Sequence, residues 1–244
     1  MNEIEDFIVT EPYMPSEGEK KAIAELEAKG IAPQNWNSKK KDVESFKKNL
    51  REDMYEKQNK LCAYCRIHVP LACVPMHREH IVYKDAHPQW MFLPQNLCIA
   101  CSVCNSYKGT KEVLVNKNIE DYPKDGRGFK IIHPMYDRYS DHIELVGGIL
   151  YRGKTPKGCF TINTCHLYRV DLAEERVDQR IKEDKGEIIA GIINLLSKSE
   201  EYVDDNMKFI QYVCDIVKKY KQETGQCPAE DTEVRRRTEE GNCF

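Results

Sequence analysis

Apolar residues recur at three- and four-residue steps in three stretches of the chain, and this spacing predicts amphipathic helices. The stretches cover residues 42–59, 171–196 and 199–224, and the last is followed by a helix-stopping glycine, Gly225. Each apolar stripe is expected to pack on a hydrophobic core, because most of the stability of a helix in a protein comes from such packing.

Local signals predict two further elements outside those stripes. Ser16 and Glu19 have the spacing of a capping box and Gly30 the position of a C-cap, so we expect a short helix over residues 17–29. In residues 142–152, a Gly-Gly pair separates two short aliphatic runs, which predicts a small hairpin. These elements together predict an α+β fold that is mainly helical.

The composition fits a globular chain of one or two domains. Its 244 residues are 41% hydrophobic and 32% charged. Lys and Arg total 37 against 40 Asp and Glu, and the net charge of -3 excludes a uniformly basic, nucleic-acid-binding surface. A local patch remains possible on the lysine-rich face of residues 42–59, although that face can equally be solvated. The acidic residues 1–30 likewise fit either a docking arm or a solvated helix.

The sequence predicts a cytoplasmic protein without a membrane partner. The longest apolar stretch, residues 188–196, is far shorter than the roughly 20 residues that span a bilayer. The N-terminus is acidic and has no apolar core of a secretion signal. In a reducing compartment, the 11 cysteines are better explained as metal ligands or reactive groups than as disulfides.

Two Cys-x-x-Cys pairs, Cys62 with Cys65 and Cys101 with Cys104, predict a structural Zn²⁺ site. Each tight turn brings two thiolates to one metal, and two such turns join distant segments of the chain. Other ligand sets stay open, because Cys73, Cys98 or His77 can replace a cysteine of the pairs. The competing interpretation is four buried or reactive thiols without a metal.

The segment between and after these pairs contains an ordered set of catalytic residue types. Glu79-His80 precedes Asn96, and Cys104-Asn105 is followed by Lys108-Gly109. This order over residues 60–110 resembles the HNH endonucleases, which have a ββα-metal finger. The resemblance implies a zinc-stapled HNH finger at 60–115. It lies between an acidic arm with a basic helix (1–59) and a hairpin with a helical, partner-docking region (116–244).

The resemblance also implies a role for each residue. His80 is the general base, because its ordinary pKa near 6.5 leaves it largely neutral in the cytosol. Glu79 and Asn105 supply oxygens to a catalytic Mg²⁺ or Mn²⁺. Asn96 holds the loop that orients the base, and Lys108 meets a phosphate of the nucleic acid.

Each of these residues also has a simpler explanation. Glu79-His80 can be a surface dipeptide, Asn96 a turn former after Pro94, and Asn105 an N-cap. Four other histidines lie outside this ordered set of residues, and we assign them no role: His68, His87, His133 and His166.

Beyond the finger, the chain resembles the nuclease subunit of Septu-type and retron-linked antiphage systems. The resemblance rests on Ile132-His133-Pro134 with the residues that follow and on Thr161 to Arg176. It implies an ABC/SMC-like ATPase partner, and no Walker A motif occurs in this chain. The predicted function is a metal-dependent HNH endonuclease acting on nucleic acid, most readily DNA. The alternatives are a catalytically inactive zinc-finger module that binds nucleic acid and a purely structural scaffold subunit.

Overall fold

The N-terminal segment forms two helices that follow the sequence signals closely. The structure is a computed structural model that describes residues 6–69, 76–146 and 148–183. Helix α1 (Glu17–Glu27) begins at the predicted capping box of Ser16 and Glu19, and Gly30, in the left-handed region at φ +87°, lies just beyond its end. A 3₁₀ turn (Pro33–Asn37) leads into helix α2 (Lys41–Lys57), which matches the helix predicted over 42–59.

Two antiparallel strands and a helix follow. Strand β1 (Met76–His80) pairs with strand β2 (Leu97–Cys101), and helix α3 (Ser102–Lys108) packs against both strands. The connection between the strands contains two short 3₁₀ turns, Pro88–Trp90 and Pro94–Asn96. This connection places Glu79 and His80 at the end of β1, close to the start of β2.

The remaining elements form a second hairpin with helices around it. They are a 3₁₀ turn (Gly126–Gly128), helix α4 (Tyr139–His142), strands β3 (Ile143–Val146) and β4 (Leu150–Gly153), helix α5 (Pro156–Cys165) and helix α6 (Val170–Glu183).

Strands β3 and β4 are antiparallel and confirm the predicted hairpin. Close packing of α5 on this hairpin requires a glycine, because a Cβ at Gly158 would lie 1.9 Å from the carbonyl oxygen of His142. Helix α6 agrees with the start of the helix predicted over 171–196. The helix predicted over 199–224 lies outside the described residues.

One hydrophobic core connects all three segments. It contains the apolar stripe of α2, the interior of the β1–β2 pair, and residues of the segment from 116 onward, here called the extension, as far as Leu172. Phe46, Leu50 and Met54 are fully buried, as the periodicity of the helix predicted. The described chain is therefore a mixed α/β protein with two small two-stranded sheets. Within the described residues, no helix is both long enough and apolar enough to cross a membrane.

Candidate metal and catalytic centre

Four cysteine side chains converge between the start of the finger and α3. Cys62 and Cys65 lie in a turn closed by the Leu61–His68 bridge, Cys101 ends β2, and Cys104 lies in the first turn of α3. All four Sγ atoms lie within 4.8 Å of one another. A tetrahedral Zn²⁺ with bonds of about 2.3 Å requires S–S distances of about 3.8 Å. The four thiols therefore fit a zinc ion.

The alternative ligands are not part of this cluster. Cys98 is buried on β2 opposite Glu79, and His77 lies on β1. Within the described residues, the four paired cysteines are the only group of three or more Cys, His, Asp or Glu side chains close enough together to hold a metal. Burial raises the pKa of Cys98 well above its usual value, so this thiol stays protonated. Cys73 lies outside the described residues.

Three side chains of the extension donate hydrogen bonds to the first cysteine turn. The Tyr139 hydroxyl donates to the carbonyl of Tyr64 at 2.6 Å, and Tyr151 and Arg176 donate to the carbonyl of Cys65, Arg176 at 2.7 Å.

The guanidinium of Arg169 lies 3.8 Å from the Cys104 Sγ. Four thiolates around Zn²⁺ carry a net charge of −2, so a donor with positive charge stabilises the cluster. The sequence contained both Arg169 and Arg176, but no local signal indicated that they reach the cysteine turns.

Arg66, immediately after the first cysteine pair, is a further residue that sequence reasoning missed. Its side chain is 1% exposed, and its guanidinium lies 3.4 Å from the ring centre of Phe7 and 4.5 Å from that of Tyr139. Within the described residues, its nitrogens make no hydrogen bond. Burial lowers the pKa of Arg66 to about 10, which still leaves the group charged at neutral pH. This cation therefore connects Phe7, which precedes α1, with Tyr139 of α4 through its two aromatic contacts.

His80 is held in one tautomer by the loop that follows it. Its ring is 8% exposed, and Nε2 lies 3.1 Å from the carbonyl oxygen of Met91. Since a carbonyl can only accept, Nε2 carries the proton and Nδ1 keeps its lone pair. Burial lowers the pKa of His80 to about 4, so the ring is neutral at pH 7. The ring of Trp36 packs edge-on against it with centroids 4.4 Å apart.

Asn96 ties the two ends of this loop together. Its side-chain oxygen accepts from the Val82 amide at 2.7 Å, and its nitrogen donates to the carbonyls of Val82 at 3.1 Å and Trp90 at 3.2 Å. Its own carbonyl accepts from the amide of Ile81 at 2.8 Å. Asn96 is thus more than a turn former after Pro94, because its buried amide determines where the loop presents the Met91 carbonyl.

Glu79 forms a buried ion pair with Lys108. The Lys108 ammonium lies 2.5 Å from Glu79 Oε1 and donates to the carbonyl of His80 at 2.9 Å. Burial raises the pKa of Glu79, and the charge of Lys108 opposes that shift. Both Glu79 and His80 are less than a tenth exposed, which excludes a surface dipeptide. Lys108 is 1% exposed and contacts the candidate metal ligand, so its predicted contact with a phosphate requires it to leave Glu79.

Asn105 lies inside α3 and is not the N-cap of that helix. The N-cap is Cys101, whose sulfur accepts from the Cys104 amide, because the helix begins before the second cysteine of the pair. Asn105 is half-buried one helical turn before Lys108, and among the described residues its side-chain amide makes no hydrogen bond. Successive strand residues face opposite sides, so Glu79 faces α3 while His80 faces the Met91 loop.

Comparison with known proteins places this chain beside one curated relative. Septu protein PtuB of Bacillus thuringiensis is 30% identical over 118 residues, which is 48% of this chain and 40% of that protein. The chain therefore spans well under two thirds of the relative's length. No family model matches the sequence. No solved structure matches it either.

Proposed function

We propose that this chain is a cytoplasmic, metal-dependent HNH endonuclease that hydrolyses phosphodiester bonds, most readily in DNA. The observation that carries the proposal is the buried imidazole of His80, fixed on the Met91 carbonyl by a loop that Asn96 holds closed. Similarity to a Septu protein supports a role in antiphage defence, where the chain is the effector nuclease beside an ATPase subunit. The four-cysteine zinc site joins the strands that bear this machinery.

His80 acts as the general base in this proposal. Nδ1 is the nitrogen that accepts a proton from the attacking water, because Nε2 is already occupied by the Met91 carbonyl. The low pKa of the ring keeps it neutral and ready to accept at cytosolic pH. A positioned base of this kind typically contributes about 10²- to 10⁴-fold to a rate.

Glu79 and Asn105 are the residues that would hold the catalytic cation. A divalent ion bound there supplies positive charge to the phosphate and the leaving oxygen. The donor set is suitable for Mg²⁺, which prefers oxygen ligands, and Glu79 Oε1 is buried without a hydrogen bond in good geometry. The fit requires two changes. The Lys108 ammonium lies 2.5 Å from that oxygen and must share or leave the carboxylate, and Glu79 and His80, which face opposite sides of β1, must reach the same phosphate.

Nicking of supercoiled plasmid by the zinc-loaded full chain tests this function. We expect nicking with Mg²⁺ or Mn²⁺ and none without added divalent cation, with product ends that carry a 5′ phosphate and a 3′ hydroxyl. The control is the same protein with Ca²⁺ at equal ionic strength. Absence of nicking with both Mg²⁺ and Mn²⁺, from protein that retains its zinc, would contradict the proposal.

A zinc-stabilised module that binds nucleic acid or a partner without cutting is the second candidate. The observation that favours it is the ion pair itself, because Lys108 neutralises the carboxylate that a catalytic cation needs. This alternative predicts bound zinc and unchanged binding in His80→Ala and Asn105→Ala variants, with no cleavage by the parent chain. The endonuclease proposal predicts that both variants lose cleavage.

A further inference from the structure

Three aromatic rings form a continuous stack between α3 and the connection from α5 to α6. The ring centroids of Tyr107 and His166 lie 4.2 Å apart with an angle of 14° between the ring planes. The centroids of His166 and Tyr168 lie 5.2 Å apart with an interplanar angle of 28°. His166 caps the end of α5 in the left-handed conformation, at φ +50°. This backbone turn holds the middle ring of the stack in place.

The outermost ring of this stack is open to solvent. Tyr107 is 41% exposed, whereas the other tyrosines and the phenylalanines and tryptophans of the described residues are buried or half-buried. One face of its ring lies on His166, and Tyr107 is not part of the hydrophobic core. With His166 against one face, the exposed part of the Tyr107 ring is available to a flat ligand.

Two cations flank the ring stack. The Lys111 ammonium lies 3.0 Å from the carbonyl oxygen of Thr164, and Arg169 donates to the carbonyl of His166 at 3.2 Å. Two exposed acidic residues lie beside them: Asp171, 3.1 Å from Arg169 Nε, and Glu112, which follows Lys111 in the sequence. Arg169 is already engaged by Asp171 and by the Cys104 sulfur, so the exposed Lys111 is the cation that this surface offers to an anionic ligand with a flat face.

We propose that Tyr107, His166 and Tyr168, with Lys111 beside them, form a stacking platform for an unpaired base of the nucleic-acid substrate. This inference rests on the proposed function and assigns the substrate region that α3 contacts. Aromatic rings bind bases of any sequence by stacking, and neighbouring cations bind the backbone phosphates. Tyr107 follows Asn105 by two residues in α3, which places their backbones about 3 Å apart along the helix axis. A base stacked on Tyr107 is therefore bound by the same short helix that carries Asn105.

The test uses fluorescence anisotropy with the full zinc-loaded chain in a His80→Ala background, so that the probe is not cut. The probes are a labelled 20-nucleotide thymidine strand and a labelled duplex of the same length. Variants are Tyr107→Leu, which keeps an apolar side chain without a ring, and Tyr107→Phe, which keeps the ring. Zinc content and melting temperature of each variant serve as folding controls, and Met14→Ala is the matched change at another exposed apolar side chain.

We expect Tyr107→Leu to bind the single strand about 5- to 100-fold more weakly, with Tyr107→Phe and Met14→Ala close to the parent. Loss of duplex affinity should be much smaller. Equal affinity of Tyr107→Leu and the parent, a loss that Tyr107→Phe shares, an equal loss on duplex, or no binding by the parent would overturn the platform.

The binding test of the stacking platform and the nicking test of the nuclease can fail independently of each other. Ring-dependent binding of the strand by a chain that never nicks plasmid would reject the nuclease and retain the platform as a binding site. Nicking by the parent chain with ring-independent binding would reject the platform alone.

Discussion

The imidazole of His80 depends on one carbonyl oxygen, and that oxygen depends on one asparagine. Asn96 connects the Val82 and Trp90 ends of the loop through three side-chain hydrogen bonds. The position of Met91, and with it the tautomer of His80, is therefore set by the Asn96 side chain.

Replacement of Asn96 by alanine should destabilise the protein and slow cleavage together. The variant leaves the backbone groups of Val82 buried and unpaired, at a cost of about 1–3 kcal/mol for each such group. Denaturant unfolding measures this loss, and zinc content should stay unchanged. Gln95→Ala is the matched control, because the buried side-chain oxygen of Gln95 has no partner in the described structure. Equal stability of the two variants would show that the asparagine bonds do not hold the loop.

His133 gives the protein a defined dependence of stability on pH. Burial lowers the pKa of His133 to about 3, and its ring accepts from the Met135 amide at 3.2 Å and contacts the Tyr122 hydroxyl at 3.0 Å. Between pH 6.5 and about 3, the unfolded chain binds a proton at this residue that the folded chain does not. Its contribution to stability is therefore full above pH 6.5 and is lost as the pH falls.

Denaturant unfolding at pH 7 and pH 5 tests this assignment in the parent and in His133→Gln. We expect His133 alone to account for about 2 kcal/mol of the loss between these pH values. The variant, less stable at pH 7, should therefore lose that much less on acidification. Parallel decreases in the two proteins would mean that the histidine is not kept neutral by the fold.

At the scale of elements, the extension encloses the cysteine turns. Tyr139 and Tyr151 reach the first turn from α4 and β4, while Arg169, just before α6, reaches the sulfur of Cys104. The surroundings of the four-cysteine cluster are thus completed by residues that lie at least 35 positions after its last cysteine. The finger and the extension should consequently be stable only together.

Arg169→Gln should loosen the zinc site without unfolding the hairpin. Loss of a hydrogen-bonding group behind a metal ligand typically lowers metal affinity by about 10- to 100-fold. Competition with a chromophoric chelator measures the rate and affinity of zinc loss. Arg152→Gln is the control, because Arg152 is exposed on β4 and, among the described residues, its ion pair is with Glu144. Identical zinc loss from both variants would remove Arg169 from the metal site.

Local signals in the sequence predicted most of these elements. The apolar stripe of α2, the capping box of α1 and the glycine turn of the second hairpin each act between residues close in sequence. The start of α3 was missed because its N-cap is a cysteine, Cys101, which is rarely used in that position.

Contacts between distant segments explain what the sequence did not show. The residue types of the candidate site were recognisable, but the burial of Lys108 on Glu79 depends on how α3 packs against β1. The same holds for Arg66 and Arg169, whose polar groups pair with rings and sulfurs far away in the chain. Arg169 belongs to the stretch from Thr161 to Arg176 that carried the resemblance, but nothing in the immediate sequence of either arginine indicates these contacts.

At the scale of the whole molecule, zinc removal should unfold more than the finger. The two cysteine pairs join the end of α2, the β1–β2 pair and α3, and the extension packs on both turns. Thermal unfolding after removal of zinc by a chelator should show a large decrease in melting temperature, restored by Zn²⁺ but not by Mg²⁺. An unchanged melting temperature in verified zinc-free protein would show that the cysteine cluster is not a structural metal site.

The comparison of His80→Ala with His77→Ala in plasmid nicking tests the nuclease most directly. Both histidines lie on β1, but only His80 contacts the Met91 loop. We expect His80→Ala to nick at least about 100-fold more slowly than the parent in Mg²⁺, with its zinc retained and His77→Ala close to the parent. Nicking by His80→Ala at the rate of the parent would contradict the assignment of the base and the function built on it.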